Sequence, residues 1–214
     1  MQDNALAARV AERLARAGAP VPPATLDALV EYLTLLARWN ARINLTAFTL
    51  DPPTDGAIDR LIVEPVVAAK FVRPEDRVAV DVGSGGGSPA IPLLLARPAL
   101  KMHLVESRAR KASFLREATR HLKLDQAEVV NKRLEAMSEL DGLARRVDTV
   151  TLRAVRLDET LGGSIRGLLR STGRILWFTS KLEANVAPEG FAVVSEDELV
   201  LGSGGRLLVI HPAT

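Results

Sequence analysis

The stretch Asp81-Val82-Gly83-Ser84-Gly85-Gly86-Gly87-Ser88-Pro89 decides the fold. It follows a short apolar run rich in β-branched residues at 77–82 and precedes a segment with a helical pattern at about 90–96. Glycines at such a junction allow a tight turn and let a ligand approach the main chain, and the proline suits the first turn of a helix. A strand, a glycine-rich loop and a helix in this order predict one unit of an α/β fold.

Two acidic residues accompany this loop. Asp81 lies just before the glycines, and Glu106 ends the next predicted strand, 23 residues after Gly83. In a parallel sheet both residues lie at the carboxyl ends of neighbouring strands, where ligands bind. A carboxylate at position 106 is placed to accept hydrogen bonds from both hydroxyls of a ribose. The pattern therefore predicts a nucleoside cofactor pocket that contains Asp81, Gly83, Gly85 and Glu106.

Two kinds of nucleoside cofactor are consistent with this pocket. The dinucleotide fingerprint Gly-x-Gly-x-x-Gly requires glycine where this chain has Ser88. S-adenosylmethionine carries a sulfonium and no phosphate, so the acidic Asp81 and the imperfect third glycine position favour it. We therefore favour methyl transfer from S-adenosylmethionine, and a nicotinamide-dependent oxidoreductase is the alternative.

Outward from this loop, strands alternate with helices. Five strands are predicted at 77–82, 102–106, 127–131, 147–152 and 174–179, and two more at 191–194 and 206–211 have no room for a helix between them. The alternation requires a mainly parallel sheet covered on both faces, and the last two strands form an antiparallel hairpin at one sheet edge. We predict an α/β fold with a mainly parallel, seven-stranded Rossmann-like sheet.

The first 75 residues have a helical pattern instead. Apolar spacing predicts helices over 4–17, over a segment capped by Thr25, and over about 57–71, with proline-containing stretches between them. We therefore predict an N-terminal helical extension, 1–75, and a cofactor-binding domain, 76–214.

Composition excludes several kinds of protein. The 214 residues contain no cysteine and three histidines, which excludes a disulfide framework and a thiolate nucleophile and argues against a metal site. The charged N-terminal segment and the lack of an apolar stretch of about 18 residues predict a cytoplasmic protein without a membrane partner. Nine basic against four acidic side chains within 101–133 give a local charge of +5. Such a charge attracts a phosphate backbone, although surface helices often carry mixed charge.

Two stretches after later strands face the same predicted crevice. In Arg133-Leu134-Glu135 the Leu134 side chain offers a surface for an adenine ring, but a charged helix start explains these residues equally well. Arg153 closes the fourth predicted strand. Three roles remain open for it: contact to a substrate phosphate, contact to the cofactor carboxylate, or a structural ion pair.

Several motifs together resemble one family. They occur in order over about residues 26–212 and read Tyr32…Trp39-Asn40-x-x-x-Asn44-Leu45-Thr46, then the glycine loop with Ile91-Pro92-Leu93, Glu106-Ser107…Lys111-x-x-Phe114-Leu115, Arg133-x-Glu135 and Arg153-Ala154. The chain resembles the small-subunit ribosomal RNA guanine methyltransferases, also known as the glucose-inhibited division protein B family. The resemblance implies the class I methyltransferase fold and an S-adenosylmethionine-dependent enzyme that methylates nitrogen 7 of one guanine in 16S ribosomal RNA.

The resemblance also implies site residues. Cofactor contacts are expected at Gly83, Ser88, Leu134, Glu135 and Arg153, in addition to Asp81, Gly85 and Glu106 from the pattern itself. RNA contacts are expected among Asn40, Asn44, Thr46, Arg110, Lys111 and Arg153. Nitrogen 7 of guanine is unprotonated at neutral pH, so no general base is expected and the enzyme would act by alignment. The expected partner is 16S ribosomal RNA or the small ribosomal subunit, and we expect the protein to be a monomer.

Among the departures from the family pattern, four concern the predicted pocket: Leu61, Glu64, Ser88 and Leu152. The family has Arg-His-x-x-Asp-Ser where this chain has Arg60-Leu61-Ile62-Val63-Glu64-Pro65. Ser88 replaces a bulky apolar residue, and Leu152 replaces a serine. Because all four lie near the predicted pocket, a non-catalytic RNA-binding relative of the same fold is a further alternative.

Overall fold

The computed structural model describes residues 2–134, 142–180 and 187–213. Within these ranges the strands are β1 (Val78–Val82), β2 (Lys101–Val105), β3 (Ala127–Val130), β4 (Val147–Arg153), β5 (Leu169–Thr179), β6 (Phe191–Glu198) and β7 (Arg206–Pro212). They form one seven-stranded sheet in the order β3-β2-β1-β4-β5-β7-β6. Strands β1 to β5 are mutually parallel, and β7 runs antiparallel to both β5 and β6. The predicted α/β fold with an antiparallel C-terminal hairpin is confirmed.

The helices of the described residues are α1 (Gln2–Arg16), α2 (Pro23–Asn40), α3 (Asp55–Ile58), α4 (Glu64–Ala68), α5 (Ala90–Ala96), α6 (Ala109–His121) and α7 (Glu159–Leu168). A π turn, Asp59–Val63, joins α3 to α4, and a 3₁₀ turn, Ala69–Phe71, follows α4. In this part of the chain, none of the helices combines the length and the apolar character that a membrane span needs. Nor do three or more metal-ligating side chains come together there.

Several boundaries differ from the sequence prediction, among them the end of β6, which lies at Glu198 rather than at Val194. Helix α2 begins at Pro23 with Pro22 in the cap position, so the predicted cap at Thr25 is wrong. Proline is favourable in a first helical turn, because the amide hydrogen that it lacks has no intrahelical acceptor there. Thr54 caps the third helical region two residues earlier than predicted, since its side chain accepts a hydrogen bond from the Ala57 amide at 3.2 Å. Strand β5 begins at Leu169, which pairs with Val147, rather than at Arg174.

Both faces of the sheet are covered, as a parallel sheet requires. One hydrophobic cluster joins the N-terminal helices to the sheet and includes Leu14 of α1, Leu33 of α2, Leu94 of α5 and Leu104 of β2. The opposite face packs against α7 through a second cluster that includes Val150 and Ile165. The N-terminal helices therefore share a core with the sheet, and they bring the loop after α2 next to the carboxyl ends of β1 and β4.

Candidate functional site

The glycine loop after β1 has a backbone that side chains would disturb. Gly83, Gly85 and Gly87 have φ angles of +71°, +52° and +85°, in the left-handed region that favours glycine. A Cβ atom at Gly87 would lie 2.6 Å from Ile91 Cδ1. The amides of Gly83 and Ser84 donate to the carbonyl oxygen of Val105 at 2.9 and 3.0 Å. The loop is thus fixed against the end of β2.

The N-terminal helices hold the same loop from the other side. The hydroxyl of the fully buried Tyr32, on α2, donates to the Gly86 carbonyl at 2.7 Å. A Cβ atom at Gly86 would lie 3.2 Å from Leu36 Cδ1 and 3.3 Å from the Leu45 carbonyl oxygen. The sequence prediction did not place Tyr32 in the site. Its signal was a tyrosine on the apolar face of a helix, since a buried hydroxyl needs a partner.

Asp81 lies beneath the glycine loop with one oxygen unpaired. Oδ1 accepts a hydrogen bond from Thr151 Oγ1 at 2.5 Å. Oδ2 is buried and has no hydrogen-bond partner among the described residues. Burial raises the pKa of Asp81 to about 6, although the bond from Thr151 lowers it. A buried acceptor without a donor is unfavourable by itself and is suited to receive a hydrogen bond from a ligand.

Glu106 connects the glycine loop to the start of α6. Its Oε2 accepts from the Gly85 amide at 2.9 Å, and its Oε1 accepts from the Arg108 amide at 2.7 Å. Asn131 Nδ2 donates to the Glu106 carbonyl at 2.7 Å. Each carboxylate oxygen retains a second lone pair and can accept a further hydrogen bond from a ribose hydroxyl. The contact to ribose stays a prediction.

Two cavities meet at Gly83. The first, of about 400 Å³, lies between the glycine loop and the loop after α2. Its walls include Thr46, Phe48, Gly85, Ser88, Lys111 and Arg153. The second, of about 260 Å³, lies across the ends of β1, β2 and β4, and Lys132, Arg133 and Leu134 contribute to its wall. This arrangement gives an elongated cleft along the carboxyl edge of the sheet.

The structure brings most of the predicted site residues to this cleft. Gly83, Gly85, Ser88, Arg153, Thr46 and Lys111 line the first cavity, and Leu134 lines the second. Asn44 and Arg110 are exposed but do not line either cavity. The buried Asp81 and Glu106 and the partly buried Asn40 do not line them either. Glu135 lies outside the described residues.

Two residues of the Trp-Asn motif have internal contacts. Asn40 Oδ1 accepts hydrogen bonds from the amides of Leu45 and Thr46 at 2.8 and 2.9 Å, so it shapes the loop that follows α2. Trp39 packs edge-on against Phe114 of α6, with ring centroids 5.7 Å apart. These contacts fix α2 and its loop beside the cleft.

Arg153 is the centre of a buried ionic network. Its Nη2 lies 3.0 Å from Glu64 Oε2, and Glu64, which is fully buried, also pairs with Arg60 at 3.0 Å. Arg153 Nη1 donates to Ser88 Oγ at 3.0 Å and to the Arg60 carbonyl. Burial lowers the pKa of Arg153 to about 10, although Glu64 raises it, and burial raises the pKa of Glu64. The structure shows the ion pair, and the predicted contacts to a substrate phosphate and to the cofactor carboxylate stay predictions.

Two of the four departures from the family pattern contact this network through their side chains, and Leu61 contacts it only through its backbone carbonyl. Glu64 and Ser88 both contact Arg153, and the Ser88 hydroxyl donates to the Leu61 carbonyl at 2.9 Å. Leu152 instead is fully buried in β4 within the second cluster. Glu64 and Ser88 therefore contact the same arginine, although they are distant in sequence.

Comparison with known proteins gives the same family for most of the chain. Residues 25–200 match the family model described as rRNA small subunit methyltransferase G. The ribosomal RNA small subunit methyltransferase G of Stenotrophomonas maltophilia (strain K279a) is 40% identical over 184 residues, which cover 82% of this chain and 80% of the relative. The protein of the same name from Xanthomonas oryzae pv. oryzae is 36% identical over 223 residues, which cover 98% of each chain.

Solved structures share the fold at low sequence identity. The mitomycin 7-O-methyltransferase MmcR superposes with a TM-score of 0.57 at 19% identity, over 90% of this chain and 69% of that one. A variant of MtNAS in complex with S-adenosylmethionine superposes with a TM-score of 0.54 at 15% identity, over 86% of this chain and 73% of that one. At these identities the similarity establishes the fold alone.

Proposed function

The chain belongs to the family of the rRNA small subunit methyltransferase G, and on that premise we propose that it methylates nitrogen 7 of a guanine in 16S ribosomal RNA. The enzyme is an S-adenosylmethionine-dependent ribosomal RNA methyltransferase. Its proposed substrate is the RNA itself or the small ribosomal subunit, and its proposed location is the cytoplasm, where ribosomes are assembled.

One observation carries this proposal. The glycine loop, the loop after α2 and Arg153 enclose one cavity, and this cavity meets the groove beside Leu134 at Gly83. The cleft thus has room for a nucleoside on one side of Gly83 and for its amino-acid part on the other. It lies at the carboxyl ends of β1, β2 and β4, where open α/β sheets bind their ligands.

The residues present fit S-adenosylmethionine. The unpaired Asp81 Oδ2 offers an acceptor beneath the loop, in keeping with a cationic ligand. A Cβ at Gly85 would find no atom closer than 3.5 Å, so the surface of the loop is open there. We propose that Asp81, Gly83, Gly85 and Ser88 hold the amino-acid part, and that Glu106 and Leu134 hold the adenosine. Glu135 and Arg153 complete the proposed set.

The reaction requires alignment rather than proton transfer. S-adenosylmethionine, when bound, supplies a methyl group whose bond to sulfur breaks as the bond to nitrogen 7 forms, and the sulfur keeps the electron pair. Nitrogen 7 presents its lone pair at neutral pH, so this chain needs no side chain that removes a proton. Its residues act by fixing two reactants in line, which accounts for about 7–11 kcal/mol of a barrier in favourable cases.

Basic residues around the cleft are suited to hold RNA. Arg60 and Arg153 both pair with Glu64, whereas among the described residues Lys111 has no ionic partner. Lys111 lines the first cavity near Gly85, and Lys132 and Arg133 line the second. We propose that phosphates beside the target base are contacted by Lys111, Lys132, Arg133 and Arg110. Such contacts weaken steeply as the salt concentration rises.

The test is methyl transfer to small ribosomal subunits from a strain that lacks this activity. With labelled S-adenosylmethionine, we expect one methyl group per 16S RNA, mapped by chemical cleavage at 7-methylguanine. A variant with Gly85→Leu, which fills the loop surface, serves as the inactive control.

Two other outcomes would contradict the proposal in different ways. Salt-sensitive RNA binding without methyl incorporation at saturating cofactor would identify a non-catalytic RNA-binding relative. Binding of NADH, followed by its fluorescence, in place of S-adenosylmethionine would identify the oxidoreductase alternative. The glycine loop and Glu106 are consistent with both cofactors, but Ser88 in the third glycine position argues against the oxidoreductase.

A further inference from the structure

One aromatic side chain stands apart from the others. The chain has five phenylalanines, two tryptophans and one tyrosine, and all eight lie in the part that the structure describes. Phe48 is 37% exposed. The remaining seven are buried or partly buried; Tyr32, Phe114 and Phe178 belong to the core, and Trp39 packs on Phe114.

Exposure alone would carry little, because single apolar side chains on a surface are common. Position distinguishes Phe48 from the other large exposed apolar residues, Val193, Val194 and Leu201. Phe48 forms part of the wall of the first cavity together with Gly85 and Lys111, and those three do not. An aromatic ring is thus open to solvent at the site of the proposed methyl transfer.

The loop that carries Phe48 is held in place on both sides. Asn40 at the end of α2 accepts hydrogen bonds from Leu45 and Thr46, and the Phe48 amide donates to Thr46 Oγ1 at 3.3 Å. Leu45 contacts the glycine loop at Gly86. The Phe48 ring therefore extends from a turn that hydrogen bonds hold in place beside the glycine loop.

The chemistry of the substrate calls for such a ring. A base inside a stack does not expose nitrogen 7 to a buried methyl donor, so an enzyme of this kind acts on a single-stranded base or turns the base out. An unstacked base loses its neighbours, and aromatic side chains replace them. After methylation the purine carries a positive charge, which the face of a phenyl ring attracts.

On the premise of the function proposed above, we propose that Phe48 stacks on the target guanine and positions it for methylation. The ring contacts the face of the base, and Lys111 on the same wall contacts an adjacent phosphate. Stacking accepts any base, so Phe48 contributes affinity and alignment, and the pairing edge of guanine is recognised elsewhere.

The experiment compares Phe48→Leu, which keeps apolar bulk, with Phe48→Trp, which keeps an aromatic face, in the full-length protein. We expect Phe48→Leu to lower kcat/KM for small ribosomal subunits about 30-fold, or ~2 kcal/mol, because the base loses its stack on an aromatic ring. Phe48→Trp should retain kcat/KM within about threefold. Both variants should bind S-adenosylmethionine with the wild-type Kd, which separates a stacking role from a structural one.

Val194→Ala is the matched control, because Val194 is also exposed but lies on β6 outside both cavities. It should leave kcat/KM unchanged. Wild-type activity in Phe48→Leu, or equal losses in Phe48→Leu and Phe48→Trp, would overturn the stacking role.

A second measurement does not depend on turnover. In cofactor-loaded Phe48→Trp, 7-methylguanosine should quench tryptophan fluorescence beyond the quenching of wild type, which has only Trp39 and Trp177. Equal quenching in the two proteins would contradict stacking. A wild-type enzyme that methylates no guanine would refute the proposed function, whereas activity without any dependence on an aromatic residue 48 would refute only the stacking.

Discussion

The two ends of the sheet bury carboxylates in opposite ways. At the amino end, Asp148 accepts hydrogen bonds from the amides of Arg77 and Val78 at 2.8 and 2.9 Å and pairs with Arg170 at 2.6 Å. Although burial by itself raises the pKa of Asp148, these hydrogen bonds hold it below its ordinary value. Asp76 likewise pairs with Arg174 at 3.1 Å and accepts from Thr149.

At the carboxyl end, burial has a larger effect on the carboxylate pKa values than the hydrogen bonds and ion pairs do. Burial raises the pKa of Asp81 to about 6, and it raises the pKa of Glu64 although two arginines contact that carboxylate. One oxygen of Asp81 has no hydrogen-bond partner among the described residues. Burial therefore shifts the pKa of both acids upward at this end of the sheet, whereas hydrogen bonds shift the pKa of Asp148 downward at the amino end.

The difference separates stability from binding. A carboxylate whose hydrogen bonds are complete contributes to the folded state and has little left to offer a ligand. A carboxylate that is buried without enough donors costs stability, and perturbed groups of this kind concentrate at functional sites. We therefore expect substitutions at the amino end to change folding, and those at the carboxyl end to change cofactor binding.

The largest effect is expected from Asp76→Ala at the amino end. Arg174 is only 6% exposed, so removing Asp76 leaves a buried guanidinium without its carboxylate. Such a loss typically costs about 3–5 kcal/mol. Urea unfolding should show this decrease in the free energy of unfolding, while calorimetry on the folded variant should give the wild-type Kd for S-adenosylmethionine. A loss below about 1 kcal/mol, or weaker cofactor binding, would erase the proposed division between the two ends.

The second effect concerns Gly83→Ala in the glycine loop. Its φ of +71° strains an alanine, and the new Cβ would lie 2.8 Å from Val155 Cγ2 at the junction of the two cavities. We expect the Kd for S-adenosylmethionine to rise about 100-fold, or ~2.7 kcal/mol. The free energy of unfolding should fall by only about 1–2 kcal/mol.

Gly18→Ala is the matched control for this substitution. Gly18 has a φ of +68° after α1, and no atom lies within 4 Å of the position of its Cβ. The same backbone strain should therefore lower stability by a similar amount without changing the Kd. If both variants lost affinity equally, backbone strain rather than the shape of the cleft would explain the loss.

Much of the fold could be predicted from local patterns in the sequence. The alternation of strands and helices required a parallel sheet, and the short connection near the C-terminus required an antiparallel pair, as Phe191–Glu198 and Arg206–Pro212 show. The ends of the elements were less predictable. The segment before Arg174 is polar on the surface, yet it extends β5 because Leu169 is buried against Val147.

The site could be predicted only where its residues are close in sequence. The glycine loop was found from its own spacing, but the hydrogen bond from Tyr32 to Gly86 spans 54 residues, and the pair of Arg153 with Glu64 spans 89. Such partners depend on how α2 and the π turn pack on the sheet. The two hydrogen bonds that Asn40 Oδ1 accepts within its own loop were not predicted either, and its contact to RNA stays a prediction.

The smallest effect expected is the pH dependence of cofactor binding through Asp81. The pKa of Asp81 is raised from 3.8 to about 6, so protonation of Asp81 stabilises the folded state. This stabilisation is complete below pH 3.8 and is lost as the pH rises through about 6. Binding of a cationic cofactor has the opposite sign, because it needs the ionised carboxylate. Between pH 7.5 and pH 5 the affinity of wild type should therefore fall about tenfold.

Asp81→Asn should bind about tenfold more weakly at pH 7.5 and show no such fall, whereas Asp148→Asn, at the other end of the sheet, should keep the wild-type profile. A wild-type profile in Asp81→Asn would assign the titration to a different group and would remove Asp81 from the proposed cofactor contacts.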